Sequence, residues 1–403
     1  MHNVMSAKGG SASGGKKILI FSTAYFPLVG GAEIAVKEIT DRIGDIKFDM
    51  LTARLSRKNL SHERTGNVNI YRFGIGWPLI DKYLLAFFGC FYAARIYKKN
   101  KYDLIWSIMA SYGGFAAMFF KTFHSQVPYL LTLQEGDDLD CIDKRVWPLN
   151  WLFRQIFLKA DYIQAISNYL ASWAKKMGFE GEIGVVPNAV DIKYFSKEYS
   201  ENEIKKLKDS LGKKSGDNYV ITTSRLVLKN AVDDVIKSLV YLTGNIKFLV
   251  LGVGPEEKNL KALAKKLKVE KRIMFLGYID HKEMPLYLRI SDVFIRPSLS
   301  EGLGNSFLEA MAAGVPIIST PVGGIPDFLF DPKINPDKKS TGLFCHVRDP
   351  KSIAKKIETI LSDKELTDKI IINAKELVFA KYDWDIITHN MNKIFYNLTR
   401  QNT

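Results

Sequence analysis

The segment from Glu301 to Pro316, EGLGNSFLEAMAAGVP, sets two carboxylates eight positions apart around a loop with glycines at 302 and 304. Glycine there lets bare backbone approach a ligand with no β-carbon in the way. The second half is written as a helix. Ser306-Phe-Leu-Glu309 has the Ser-x-x-Glu form of a capping box, LEAMAA continues it, and Gly314 with Pro316 ends it. Two readings follow: Glu309 bonds back to the Ser306 amide while Glu301 is a solvated loop charge, or both carboxylates do chemistry at the positive end of a helix.

Other stretches carry compatible groups. In SRLVLKNAVDDVIKSL, Arg225 and Lys229 follow a β-branched run. Such a pair suits a phosphate clamp, because guanidinium binds bidentately and ammonium adds a point charge; a solvated surface is the alternative. Gly30-Gly31 precede a helix opening near Ala32, where free amides can meet a phosphate. Gly252 and Gly254 of LGVGP, Gly277 and Tyr278 of FLGYID, and Gly323-Gly324 of TPVGGIPD form further turns at the ends of apolar runs.

Those runs define the elements that must position these groups. Short apolar segments at 17–23, 48–53, 69–73, 103–109, 129–133, 162–167 and 183–188 alternate with amphipathic helical stretches. After a Lys/Glu/Ser-rich helical stretch near 197–217, the alternation restarts at 218–224, 247–252, 273–277, 293–298, 316–321 and 342–347. Continuous apolar strands separated by helices predict parallel sheets covered on both faces, so the fold class is α/β, doubly wound, twice over. Ligands of such sheets bind beyond the strands' carboxyl ends, and two sheets facing each other make a central cleft the expected site.

At 403 residues the chain is too long for one ordinary core. The formal net charge is +14, shared by both halves, and favours an anionic partner surface. Cys90, Cys141 and Cys345 are odd in number and widely spaced, which suggests reduced thiols in a cytoplasm rather than a disulfide framework or a zinc site. Residues 1–15 read as a flexible lead-in. The longest apolar run, YLLAFFGCFYAA at 83–94, is about half what a membrane-spanning helix needs, and basic residues from Arg95 to Lys101 follow it. It reads either as a buried helix with a basic end or as one dipping into an anionic membrane surface.

Gly30-Gly31, Arg225-Leu226, GVGP at 252–255, Phe275-Leu-Gly277 and PSLSEGLG at 297–304 with Glu309 occur in one order, and so arranged the chain resembles the retaining nucleotide-sugar transferases of the GT-B fold, glycosyltransferase family 4. The resemblance covers nearly everything from residue 17 and is strongest from Arg225 to Asp327. It implies two Rossmann-like domains: an acceptor-side domain over 16–195 completed by a C-terminal helix at 378–403, and a donor domain over 196–377. It implies that Arg225 and Lys229 neutralise the donor diphosphate, that Glu309 holds the ribose hydroxyls, and that Glu301 with amides of Gly302, Leu303, Gly304 and Asn305 contacts the transferred sugar. Gly30, Gly31, Asn230, Gly254, Tyr278 and Ser306 complete the donor side. No cofactor or metal is required, because positive groups stabilise the departing diphosphate.

Two departures accompany the resemblance. The family's phosphate-binding lysine aligns with Asn230, so either Lys229 takes the role or Asn230 binds neutrally. Where many relatives have histidine in the first domain, TLQEGDD offers Gln134, which cannot act as a base, followed by Glu135 and Asp137 on the acceptor side. Ser167, Asn188 and Asp191 match the interdomain region and read as turn caps. The expected activity moves a sugar from a UDP- or GDP-linked donor to a lipid-linked or glycan hydroxyl on the cytoplasmic face of a membrane, in cell-surface polysaccharide or glycolipid synthesis. The oligomeric state is left open. A nucleotide-sugar epimerase of the same fold would need no acceptor. A nucleic-acid module lacks any recognisable motif, and a dinucleotide oxidoreductase lacks G-x-G-x-x-G after the first strand.

Overall fold

The computed structural model describes residues 15–400, so the lead-in lies outside the described residues except for Gly15. The first sheet contains β1 (Lys17–Phe21), β2 (Lys47–Ala53), β3 (His62–Thr65), β4 (Val68–Phe73), β5 (Leu104–Ile108), β6 (Tyr129–Leu133), β7 (Tyr162–Ala165) and β8 (Ile183–Val185). The second contains β9 (Asn218–Thr223), β10 (Ile246–Leu251), β11 (Ile273–Gly277), β12 (Val293–Arg296), β13 (Ile317–Ser319) and β14 (Leu343–Phe344). The strand orders are β3-β4-β2-β1-β5-β6-β7-β8 and β11-β10-β9-β12-β13-β14. Every pair is parallel except β3 with β4. The two doubly wound sheets expected from the sequence are therefore present, and only the polar edge strand His62–Thr65 lacked an apolar signal.

Burial explains why these runs form strands. β5 and β6 are buried at every residue, as a sheet sandwiched between helix layers requires. Trp106 of β5 packs edge-on against Phe395 at 5.0 Å, which ties the helix Trp384–Arg400 to the first sheet. The chain leaves the second domain through the helix Lys364–Lys381 and crosses beside Val190, which pairs with Asp383.

Each sheet reverses direction at its first strand. β1 lies between β2 and β5, and β9 between β10 and β12, so crevices open beyond their carboxyl ends. Both positions carry unusual backbone: Met109 after β5 has φ 67° and Ala231 after β9 has φ 49°. Side chains pay an energetic penalty in this left-handed region, and such residues gather where a site demands a fixed geometry.

The apolar run at 83–94 lies in the 23-residue helix Pro78–Asn100, which is apolar on two faces. Leu85, Gly89, Cys90 and Ala93 face the core, whereas Tyr83, Phe87, Phe88 and Phe91 are exposed. Among the described residues no helix is long and apolar enough to cross a membrane.

Candidate active site

The loops beyond β6, β9 and β12 meet between the domains. A β-carbon on Gly136 would lie 3.2 Å from Lys229 Nζ, 3.7 Å from Glu301 Oε1 and 3.9 Å from the Gly302 amide. A cation, a carboxylate and a backbone donor of the second domain thus converge on one point of the first. Lys229 Nζ donates to the Gly136 carbonyl at 2.6 Å and pairs with Asp137 at 3.2 Å. Ser300 Oγ approaches the same carbonyl at 3.4 Å. Gly302 must be glycine for packing as well as for ligand approach, because a β-carbon there would sit 2.3 Å from the Glu135 carbonyl.

Glu301 is held rather than solvated. Its Oε2 accepts from Arg296 at 2.5 Å, and its Oε1 accepts from the Gly302 amide at 3.2 Å. Arg296, the last residue of β12, also donates to Ser306 Oγ at 2.8 Å, and its guanidinium carbon lies 4.3 Å from the Phe307 ring centroid. Arg296 was not among the expected site residues. A charged residue ending an otherwise apolar buried strand, VFIR, is the signal that could have found it.

The expected capping box does not form. The helix runs Asn305–Ala312 with Gly304 as its N-cap at φ 93°, and no side chain caps it. Glu309 therefore sits beyond the first turn, and Ser306 serves Arg296 instead. Among the described residues the Glu309 carboxylate meets His281 Nε2, at 3.3 Å. That hydrogen bond is the main reason the His281 pKa is raised above the ordinary imidazole value. His281 lies against Tyr194 and Phe195, with ring centroids 6.1 and 5.1 Å away. A reciprocal Ser-x-x-Glu box does occur elsewhere, where Ser200 and Glu203 cap the helix Glu201–Ser210.

The remaining expected residues divide into those reaching the cleft and those buried behind it. Arg225 is exposed, and its guanidinium has no partner among the described residues. Asn230 is buried and turned inward, donating to the Arg225 carbonyl at 2.7 Å. Lys229 is thus the group that crosses the cleft. Gly30 is the N-cap of the helix Gly31–Arg42, one residue before the expected opening. A β-carbon on Gly31 would come 4.0 Å from Asn305 Nδ2, so the first glycine loop faces the Glu301 loop. Tyr278 stands in solvent. Gly254 packs on the Leu226 carbonyl, and buried Leu303 borders a separate interdomain cavity of about 360 Å3 with Ile166, Asp327 and Tyr382.

On the acceptor side, Gln134 accepts from Asn188 at 3.3 Å. Glu135 is only 4% exposed. Its Oε1 accepts from the Ala110 amide at 2.6 Å, while its Oε2 is buried without a partner among the described residues. Burial pushes its pKa from 4.5 up to about 7. Ser167 and Asp191 cap the helices Asn168–Lys176 and Ile192–Phe195, as their turn chemistry suggested.

Comparison with known proteins places this geometry. Residues 29–194 match the model described as Glycosyltransferase Family 4, and residues 203–377 that described as Glycosyl transferases group 1. An N-acetyl-alpha-D-glucosaminyl L-malate synthase of Bacillus anthracis is 28% identical across 67% of this chain and 68% of its own. An alpha-monoglucosyldiacylglycerol synthase of Acholeplasma laidlawii is 26% identical over 56% of each chain, so this chain spans little more than half of that relative. The fold is shared with Anabaena HepE, solved in complex with UDP and glucose, at a TM-score of 0.76 and 19% identity, covering 95% of this chain and 100% of that one.

Proposed function

The chain belongs to the group 1 glycosyltransferases of family 4, with the GT-B fold, and from that premise we propose that it moves a hexose from a UDP- or GDP-sugar to a hydroxyl of a lipid-linked or glycan acceptor with retention of configuration. One observation carries the reading: Lys229, Glu301 and the Gly302 amide of the second domain converge on Gly136 of the first. A diphosphate needs the cation and the amide, and a sugar needs the carboxylate as hydrogen-bond acceptor.

In this mechanism Lys229 and the exposed Arg225 neutralise the diphosphate as the bond from sugar C1 to phosphate oxygen breaks. The acceptor oxygen forms the new bond to C1 on the face the leaving group vacates. Its proton passes to a phosphate oxygen, and a nucleoside diphosphate leaves. Glu301, fixed by Arg296, accepts from sugar hydroxyls, and Glu309 receives the ribose hydroxyls once His281 yields its place. Positive side chains supply the electrostatic stabilisation, so the reaction is proposed to proceed without a metal.

Two relatives bear names that describe transfer of a sugar unit to a small acid and to a lipid, and HepE was crystallised with UDP. These support a nucleotide-sugar donor and a glycolipid product; a role in cell-surface synthesis at the cytoplasmic membrane face completes the proposal. A panel of nucleotide sugars screened for thermal stabilisation tests the donor. At least one UDP- or GDP-sugar should stabilise the protein well beyond a dinucleotide control; no response to any of them would overturn the reading.

A further inference from the structure

The carboxylate assigned to the donor ribose already meets a titratable group of the protein itself, His281, whose Nε2 lies 3.3 Å from Glu309 Oε1. The surroundings of the imidazole are built for this contact. On the loop after β11, the Asp280 carboxylate accepts from the Lys282 amide at 2.8 Å and so turns the chain at residue 281. The helix Ile192–Phe195, where the chain passes from the first domain to the second, forms a wall beside it. Asp191 caps this helix by accepting from the Tyr194 amide at 3.0 Å, and the Tyr194 hydroxyl donates to the Lys282 carbonyl. The Tyr194 ring is nearly parallel to the imidazole, at 10°, while the Phe195 ring stands at 72° to it.

The acids that act on the ring favour its charged form. The hydrogen bond to Glu309, on the helix Asn305–Ala312, is the largest influence; the charges of Glu309, of Asp280 on the loop and of Asp191 at the wall helix add to it, and together they outweigh the burial that opposes them. Tyr194 stays protonated near neutral pH, because burial, Asp280 and Asp191 all raise its pKa. Lys193, Tyr278, Lys282 and Glu283 are the remaining titratable residues of these elements. The His281 side chain is 56% exposed against 17% for Glu309, so its proton exchanges with water while the carboxylate it meets is largely desolvated.

We propose that His281 competes with the donor ribose for Glu309 under the control of a proton, so that capture of the donor releases that proton and strengthens as pH rises. This deepens the proposed donor binding and rests on the ribose reaching Glu309. A charged imidazole bonds the carboxylate about twice as strongly as a neutral one, and the ribose hydroxyls must displace it. Once Glu309 turns to those hydroxyls, His281 loses its main reason to hold the proton, and its pKa falls towards the ordinary imidazole value. Linkage fixes the sign. A group that binds its proton more tightly without donor than with it weakens donor binding at low pH, fully below both of its pKa values and not at all above both.

Isothermal titration of the full chain with UDP-glucose and with GDP-mannose, from about pH 5.5 to about pH 8.5, tests this; both phosphates of these donors are esterified and lack the ionisation near pH 6 of a terminal phosphate. At least one donor should bind about threefold to tenfold tighter at the upper end, with a heat that varies with the ionisation enthalpy of the buffer, as proton release requires. His281→Gln keeps a neutral hydrogen-bond donor at similar reach and should flatten that slope. Any contribution from Glu135, which titrates at about 7 in the facing domain, persists in both proteins and cancels in the comparison. Proton NMR of the unaltered protein gives a second readout: the His281 imidazole should titrate above the ordinary range and move down on saturation with donor. Affinity independent of pH, equal slopes in the two proteins, or a His281 titration that saturating donor leaves in place would each overturn the proposal. Binding of neither donor at any pH would mark failure of the transfer reading and take this inference with it, whereas binding equally strong at every pH would sink this inference alone.

Discussion

Arg296→Met removes the cation behind Glu301 while keeping a side chain of similar length. The pair is largely desolvated, with side-chain exposures of 8% for Arg296 and 13% for Glu301, and the Arg296 Nε is buried without a partner among the described residues. Breaking a buried pair from one side costs about 3–5 kcal/mol, because the remaining charge stays in a poor solvent; residual exposure of Glu301 puts the expected loss near about 3 kcal/mol. If the second domain, roughly 180 residues, unfolds as its own unit, that lowers its melting temperature by about 6–12 °C. The freed Glu301 carboxylate also leaves its productive position, which reduces turnover by about a hundredfold. Differential scanning fluorimetry and donor turnover measure the two effects, and the double variant Arg296→Met with Glu301→Gln separates them. With no charge left behind, it should regain about 2 kcal/mol of stability over Arg296→Met while turnover stays low. A double variant no more stable than the single one would refute the assignment of Arg296 as the group that positions Glu301.

Lys229→Met should weaken nucleoside diphosphate binding by about 2 kcal/mol in isothermal titration calorimetry, since one charge-assisted contact is lost, and unaltered affinity would remove Lys229 from the site. Glu309→Ala should weaken the same binding by about tenfold or more with little change in melting temperature; thermal loss with unchanged affinity would return Glu309 to a structural role. Glu135 has a folded-state pKa raised from 4.5 to about 7, so its stabilising effect is full below about pH 4.5 and is lost as pH rises to about 7. Up to about 3 kcal/mol is at stake, and urea denaturation of Glu135→Gln should show that slope flattened; parallel curves for the two proteins would contradict it.

Much of this architecture is legible in the sequence because parallel strands buried on both faces must be largely apolar, as YLLTL at 129–133 and FLVL at 248–251 are. The strand His62–Thr65 escapes that logic, since an edge strand needs only one partner and can stay polar. The glycine turns and the Arg/Lys pair also stand out, because a close backbone approach restricts residue type and two cations at one strand end are conspicuous. What local pattern could not resolve was competition for the same side chain. Ser306 and Glu309 satisfy the spacing of a capping box, yet Arg296 takes the hydroxyl and His281 the carboxylate from elements distant in sequence. The same holds for Lys229 against Asn230. Only the turn geometry, with Ala231 at positive φ, shows which of two adjacent residues crosses the cleft. The rings of helix Pro78–Asn100 were visible as composition, whereas their division between core and surface depended on the packing of the neighbouring helix.

The most direct test of the central claim is proton NMR of the protein with a UDP- or GDP-sugar that it binds and a lipid or glycan acceptor, following the anomeric signals over time. Nucleoside diphosphate should appear in step with a new glycoside that keeps the donor's anomeric configuration, and Lys229→Met should abolish both signals. An inverted anomer would contradict retention. Conversion of the sugar without any acceptor would instead indicate an epimerase, and a donor that stays intact throughout would contradict the account as a whole.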